Sequence, residues 1–210
     1  MTMVKSETTT MVDPVGAVVL AGGRSRRFGG QDKGLILLAG QPLVAWVVGR
    51  LRAQVHALAI SANRNQAAYA EYGQVVADAM PGQPGPLAGV HAASCCLEDE
   101  WVLTAPCDMP FLPVDLVGRL YAGARQAGVA AVYAADDAQA HYTIMLIRRT
   151  LLTDIPLFLD QGGRRVQDWL ARVQARPVRF GDAPQAFFNV NTPEDLERAG
   201  RLAALCPPAG

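Results

Sequence analysis

Short apolar runs, each closed by Gly, Pro or charged residues, alternate along this chain with stretches in which apolar positions recur every three or four residues. The first pattern is that of strands buried on both faces, and the second that of helices packed along one face. Strands are predicted for a run ending at Leu20 and at 35–38, 56–61, 74–78, 101–105, 129–133 and 141–147, with shorter ones at 177–180 and 186–189. Helices are predicted at 43–53, in a short Ala-rich segment after Asn65, and at 86–97, 114–126, 151–160 and 166–172. A last helix opens at Thr192-Pro193-Glu194-Asp195, where Thr as N-cap, Pro at the first position and two acids in the first turn suit a helix N-terminus. Strand–helix alternation of this kind implies an α/β fold, a single Rossmann-like domain of three layers with a mostly parallel central sheet. The turn at 136–139 makes the following run a hairpin partner, a small antiparallel insertion.

Composition narrows this picture. A chain of 210 residues that is half apolar can build one substantial core. Its 19 basic and 19 acidic residues cancel, which leaves no global field for nucleic acid or an anionic membrane. Residues 1–13 are polar and Thr-rich and lack the apolar core of a secretory signal, so they read as a disordered leader to a domain at 14–205, with 206–210 a tail. No apolar run reaches the roughly 20 residues of a membrane span. The four cysteines lack metal-ligand spacing and read as reduced thiols, which suits a soluble cytoplasmic protein.

The chemistry concentrates after the first strand. Gly22, Gly23, Gly29 and Gly30 are interleaved with Arg24, Arg26, Arg27 and Lys33, so backbone access and positive charge coincide as a phosphate cradle would require. The stretch contains no G-x-G-x-x-G and no closing Gly-Lys-Ser/Thr, which sets aside the dinucleotide fingerprint and the P-loop. Two later strands end in carboxylates, Asp78 and Asp108. At the carboxyl edge of an open parallel sheet these would share one crevice with the first loop and Asn63. Taken alone, each acid also reads as an ordinary strand-end carboxylate, and the basic loop as a solvated turn.

Leu20-Ala21-Gly22-Gly23, Arg27, Gly29 and Asp32-Lys33 together resemble the L-A-G-G-x-x-x-R-x-G-x-x-D-K signature of nucleotidyltransferases. The likeness continues through Pro84 to Gly89, Pro106-Cys107-Asp108-Met109-Pro110, Gly163-Arg164-Arg165-Val166 and Phe188-Asn189-Val190-Asn191-Thr192-Pro193. The ordered set is similar to the MobA-like family, the molybdenum cofactor guanylyltransferases. That resemblance implies transfer of GMP from Mg-GTP to the terminal phosphate of Mo-molybdopterin, with release of pyrophosphate. It implies Asp108 as the Mg2+ ligand, Lys33 and Arg27 as catalytic cations, and a nucleotide site of Leu20, Ala21, Gly22, Gly23, Lys33, Ser61, Asn63, Asp78 and Asp108. Asn189, Asn191, Arg164, Arg165 and His141 are implied toward the acceptor, and transient contact with molybdenum-insertion or acceptor proteins would follow.

Ser61 stands where the family pattern often has Asn, and His141-Tyr142-Thr143 where it often has His-Pro-Thr. A hydroxyl reaches less far than an amide, so Asn63 would share or replace that contact. A lone histidine at a strand start also reads as structural, and Arg164-Arg165 as a solvated turn. Three alternatives remain beside guanylyl transfer: a molybdopterin cytidylyltransferase, a sugar-phosphate nucleotidyltransferase, and a non-catalytic nucleotide-binding cofactor chaperone.

Overall fold

The computed structural model describes residues 13–21, 28–77, 85–183 and 185–206. The leader apart from Asp13, the arginine-bearing part of the first loop, Asp78 and the last four residues lie outside the described residues. Among the described residues the centre is a seven-stranded sheet in the order β5-β4-β1-β6-β8-β7-β9. Its strands are β1 Val15–Leu20, β4 Ala57–Ser61, β5 Gln74–Val76, β6 Trp101–Pro106, β7 Ala131–Ala135, β8 Ala140–Arg148 and β9 Arg176–Arg179. All neighbours pair in parallel except β8, which runs antiparallel to both β6 and β7. The predicted hairpin is therefore built into the main sheet. A separate antiparallel pair, β2 Leu37–Leu38 with β3 Gln41–Pro42, stands where a longer strand was expected. Positive φ at both Ala39 and Gly40 turns the chain tightly between them.

Helices cover both faces. One core joins Val15, Ala17 and Val19 of β1 and Leu103 and Ala105 of β6 to Val44, Val47 and Leu51 of α1 (Leu43–Arg52), Tyr69 of α2 (Gln66–Tyr69) and Leu116 and Leu120 of α4 (Leu116–Ala127). The alternate residues Val18, Val102, Met145 and Ile147 face a second core with α3 (Pro86–Ser94), α6 (Asp154–Asp160) and α7 (Val166–Arg172). Period-two alternation between two buried faces is why these strands read as nearly unbroken apolar runs. A third cluster, with Leu38, Trp46, Phe111 and Val190, seats α8 (Pro193–Ala203).

Two expectations need correcting. Residues 186–189 form no strand: Ala186 and Phe188 donate to Ala183 and Gln185 in successive turns, although Ala186 and Phe187 are buried. The helix predicted over 151–160 is two, α5 (Arg149–Leu152) and α6, because Pro156 has no N–H to give the Leu152 carbonyl. No helix among the described residues is long and apolar enough to cross a membrane.

Candidate active site

Strand order fixes where a site can form. From β1 the sheet continues to β4 on one side and to β6 on the other, and the crevice at such a switch point opens at the carboxyl ends of the strands. The two central ends are locked together: Leu20 pairs with Pro106, and the Cys107 N–H donates to the Leu20 carbonyl at 3.0 Å. Asp108 therefore emerges beside Ala21, where the glycine-rich loop begins.

The loop returns through Gly29 and Gly30, both at positive φ with nothing crowding them, so backbone conformation selects glycine there. A single 3-10 turn, Lys33–Leu35, then delivers Lys33 to the strand ends. The Lys33 ammonium donates to Asp108 Oδ2, to Asn191 Oδ1 at 2.6 Å and to Asn189 Oδ1 at 3.2 Å. The asparagines arrive from the segment before α8, which is tied to the same place by the Val190 N–H donating to the Asp108 carbonyl at 2.9 Å. A capping box holds this segment: Thr192 accepts from Asp195 N, and Asp195 Oδ2 accepts from Thr192 N and Asn191 N. Lys33, Asp108, Asn189 and Asn191, far apart in sequence, thus form one cluster.

Asp108 is only 14% exposed at its side chain, and its second oxygen, Oδ1, is buried without a hydrogen-bond partner. A hard carboxylate oxygen of this kind is what a magnesium ion takes when phosphates and water supply the remaining ligands. Among the described residues no group of three or more His, Cys, Asp or Glu gathers as a protein-only metal cage. Next to Asp108, burial and then the Asp108 charge push the Cys107 thiol up, so it stays a protonated, inert group.

The other sequence-predicted residues are distributed around this cluster. Leu20 is half-buried and Ala21 buried, with the Ala21 N–H spent on the Ser61 carbonyl. Ser61 is buried under α3, where a Cβ on Gly89 would lie 2.4 Å from its Oγ. Asn63 is exposed in the turn after β4. Gly22, Gly23, Arg27 and Asp78 lie outside the described residues. Arg164 and Arg165 are exposed beside the start of α3, with the Arg164 carbonyl 4.0 Å from a Cβ built on Gly85. The Arg164 guanidinium is partly used by the Leu159 and Gly163 carbonyls. His141 is 3% exposed at its side chain, with Nε2 2.7 Å from Asp136 Oδ2 and its ring 4.5 Å from that of Phe187. It is thus held inside the protein between Asp136 and Phe187, two residues before Asn189 in sequence.

Sequence reasoning gave no role to three residues that grip the lysine's segment. Asp32 accepts from the Tyr69 hydroxyl at Oδ1 and from Asn65 Nδ2 at Oδ2, the latter at 3.0 Å. The acid was visible in the motif, whereas nothing near Asn65 or Tyr69 in sequence announces the contact.

The sequence model of the MobA-like NTP transferase domain matches residues 17–175. A relative from Yersinia pestis (strain Pestoides F), named molybdenum cofactor guanylyltransferase, is 46% identical over 181 residues, covering 86% of this chain and 92% of its own. The protein of the same name from Yersinia pseudotuberculosis serotype O:1b (strain IP 31758) is equally similar over the same shares. Among solved structures, molybdopterin-guanine dinucleotide biosynthesis protein A from Archaeoglobus fulgidus superposes with a TM-score of 0.75 at 24% identity, covering 90% of this chain and 99% of that one. CMP:2-keto-3-deoxy-manno-octonic acid synthetase complexed with CTP superposes at 0.71 with 17% identity, covering 91% and 99%. At those identities the two structures speak for the fold.

Proposed function

Because the chain belongs to the MobA-like NTP transferase family, we propose that it is a molybdenum cofactor guanylyltransferase. It transfers GMP from GTP to the terminal phosphate of Mo-molybdopterin, giving the guanine dinucleotide form of the cofactor and pyrophosphate. The observation that carries this reading beyond the family match is the convergence of Lys33, Asp108, Asn189 and Asn191 at the carboxyl ends of β1 and β6.

In the transfer, an oxygen of the acceptor's terminal phosphate attacks the α-phosphorus of GTP, and the bond to the bridging oxygen of the pyrophosphate breaks. An ionised phosphate is already a nucleophile at neutral pH, so positioning and charge neutralisation carry the chemistry without a general base. Lys33 and Arg27 hold the triphosphate, and the backbone from Leu20 to Gly23 approaches the nucleotide. Asp108 holds magnesium, supported by its buried, unpartnered Oδ1. When bound, that ion neutralises charge on the triphosphate and on the departing pyrophosphate. Asn189 and Asn191 fix the Lys33 ammonium and, with the exposed Arg164 and Arg165, are assigned to the acceptor. Asp78, Ser61 and Asn63 complete the nucleotide side.

Pyrophosphate release from GTP, CTP and ATP in parallel, with and without Mo-molybdopterin, tests this. Release that requires GTP and the pterin together is the expected result. Preference for CTP would make the enzyme a cytidylyltransferase, and tight GTP binding with no release would make it a binding protein.

A further inference from the structure

We propose that Tyr69 is a positioning residue for the transfer, which acts through Asp32 to set where the Lys33 ammonium lies; the proposal rests on the reading of Lys33 as the cation that holds the nucleotide phosphates. Tyr69 ends the four-residue helix α2, and its ring is fully buried in the core under β1. Its hydroxyl leaves that core to donate to Asp32 Oδ1. The other carboxylate oxygen is held by Asn65, four residues earlier, whose backbone is left-handed at φ 49°. Both donors come from one short connection, so the carboxylate is fixed in direction as well as place.

The far side of the lysine is gripped by the same ring. Gly34 is buried, and a Cβ built on it would lie 2.5 Å from the Tyr69 hydroxyl oxygen and 3.1 Å from Cys107 Sγ. Tyr69 therefore touches the chain immediately before and immediately after Lys33, and only glycine fits on the second side. Between these points Lys33 starts its 3-10 turn, closed by the Leu35 N–H donating to the Asp32 carbonyl at 3.0 Å and the Ile36 N–H to the Lys33 carbonyl at 3.2 Å. The backbone that bears Lys33 is thus anchored on one side by the Tyr69–Asp32 bond and on the other by the close approach of Gly34 to the same ring. Burial, then the hydrogen bond to Asp32 and that carboxylate's charge, push the phenol well above its ordinary range, so the hydroxyl keeps its proton and stays a donor at any working pH. Ordering a loop as its lysine grips a phosphate costs backbone conformational entropy, and a backbone fixed in advance spares that part of the cost.

The test is a double-mutant cycle on GTP affinity, read by calorimetry in the presence of magnesium with the intact chain. Tyr69→Phe keeps the buried ring and removes the donor; it should weaken GTP about fivefold, the usual scale for losing one such bond. Lys33→Met should weaken GTP more, and adding Tyr69→Phe to it should change the affinity less than twofold, because the residue through which Tyr69 acts is gone. Asp32→Ala should match Tyr69→Phe, and the pair together should be no worse than either alone. Wild-type affinity in Tyr69→Phe, or the same fold-loss with and without Lys33, overturns the role of Tyr69. Unchanged affinity in Lys33→Met overturns the reading of Lys33 itself, a result distinguishable because it appears in the single variant.

Discussion

Lys33 and Asp108, 75 residues apart in sequence, hold each other at the carboxyl edge of the sheet, the ammonium on Oδ2 while Oδ1 lies buried without a hydrogen bond. Asp108→Asn preserves the shape of this contact and removes its charge. Transfer should fall by about 100-fold or more, the scale seen when one preorganised electrostatic contact to a developing charge is lost. Pyrophosphate release measures the loss, and an unchanged circular dichroism spectrum shows that the fold survives. Near-normal turnover with magnesium would exclude Asp108 as the metal ligand.

The same pair predicts competition between an ammonium and a metal ion. Lys33 pairs with the Asp108 carboxylate; if Asp108 is the metal ligand and Lys33 holds phosphates, the ammonium and a divalent cation compete for one carboxylate until a nucleotide draws the ammonium away. Lys33→Met should therefore bind Mn2+ several-fold more tightly than the wild type when no nucleotide is present. Electron paramagnetic resonance of free Mn2+ reads this directly. Equal or weaker binding in the variant would mean that the two cations do not share Asp108.

Much of this arrangement was legible in the sequence, and the parts that were not share a cause. Unbroken apolar runs marked β1, β4 and β6 because both their faces are covered, and Thr192-Pro193-Glu194-Asp195 marked the start of α8 because cap chemistry is local. Ala186-Phe187-Phe188 read as a strand from its apolarity alone, but Ala186 and the Phe187 ring are buried while the chain turns. Lys33, Asp108, Asn189 and Asn191 were singled out by their places in the ordered motifs, and the structure brings their side chains together. Tyr69 was missed because its contact with Asp32 spans 37 residues and depends on the path of a loop.

Asp195 links helix capping to the site, since Oδ2 accepts from both Thr192 N and Asn191 N at 3.0 Å. Asp195→Ala should lower stability by about 1 kcal/mol through the lost cap and also loosen Asn191, a Lys33 ligand. Thr192→Ala removes the reciprocal half of the box but leaves the Asn191 contact. Urea unfolding should show similar destabilisation for both, and kcat/KM a several-fold greater loss for Asp195→Ala. Equal activity losses would separate Asn191 from catalysis.

Gly163 sits where no side chain fits: a Cβ there would lie 2.4 to 2.6 Å from three atoms of the Phe158 ring, which is itself buried. Gly163→Ala should destabilise the protein by about 1–3 kcal/mol, the range for overpacking. The accommodating shift falls on the next residues, Arg164 and Arg165. With these arginines facing the acceptor, the variant should raise KM for Mo-molybdopterin several-fold while GTP affinity stays within twofold. A rise in both would locate the arginines on the nucleotide instead.

Asp136 makes the hairpin between β7 and β8 sensitive to acid. Burial raises its carboxyl, but hydrogen bonds from His141 and from the Gln139 and Ala138 N–H groups outweigh it and hold the group below the usual carboxylate range. A folded-state pKa below the unfolded one means stability that is fully present above the unfolded value, near 3.9, and lost as pH falls through the folded value. Asp136→Asn should therefore be less stable than the wild type at pH 7, and the gap should narrow steadily below about pH 4. Urea midpoints at pH 7, 5 and 3 measure the gap. Because the His141 ring packs on Phe187, two residues before Asn189, the variant should also lose some transfer activity at neutral pH. A gap that stays constant with pH would show that packing, rather than the carboxylate's charge, holds this hairpin.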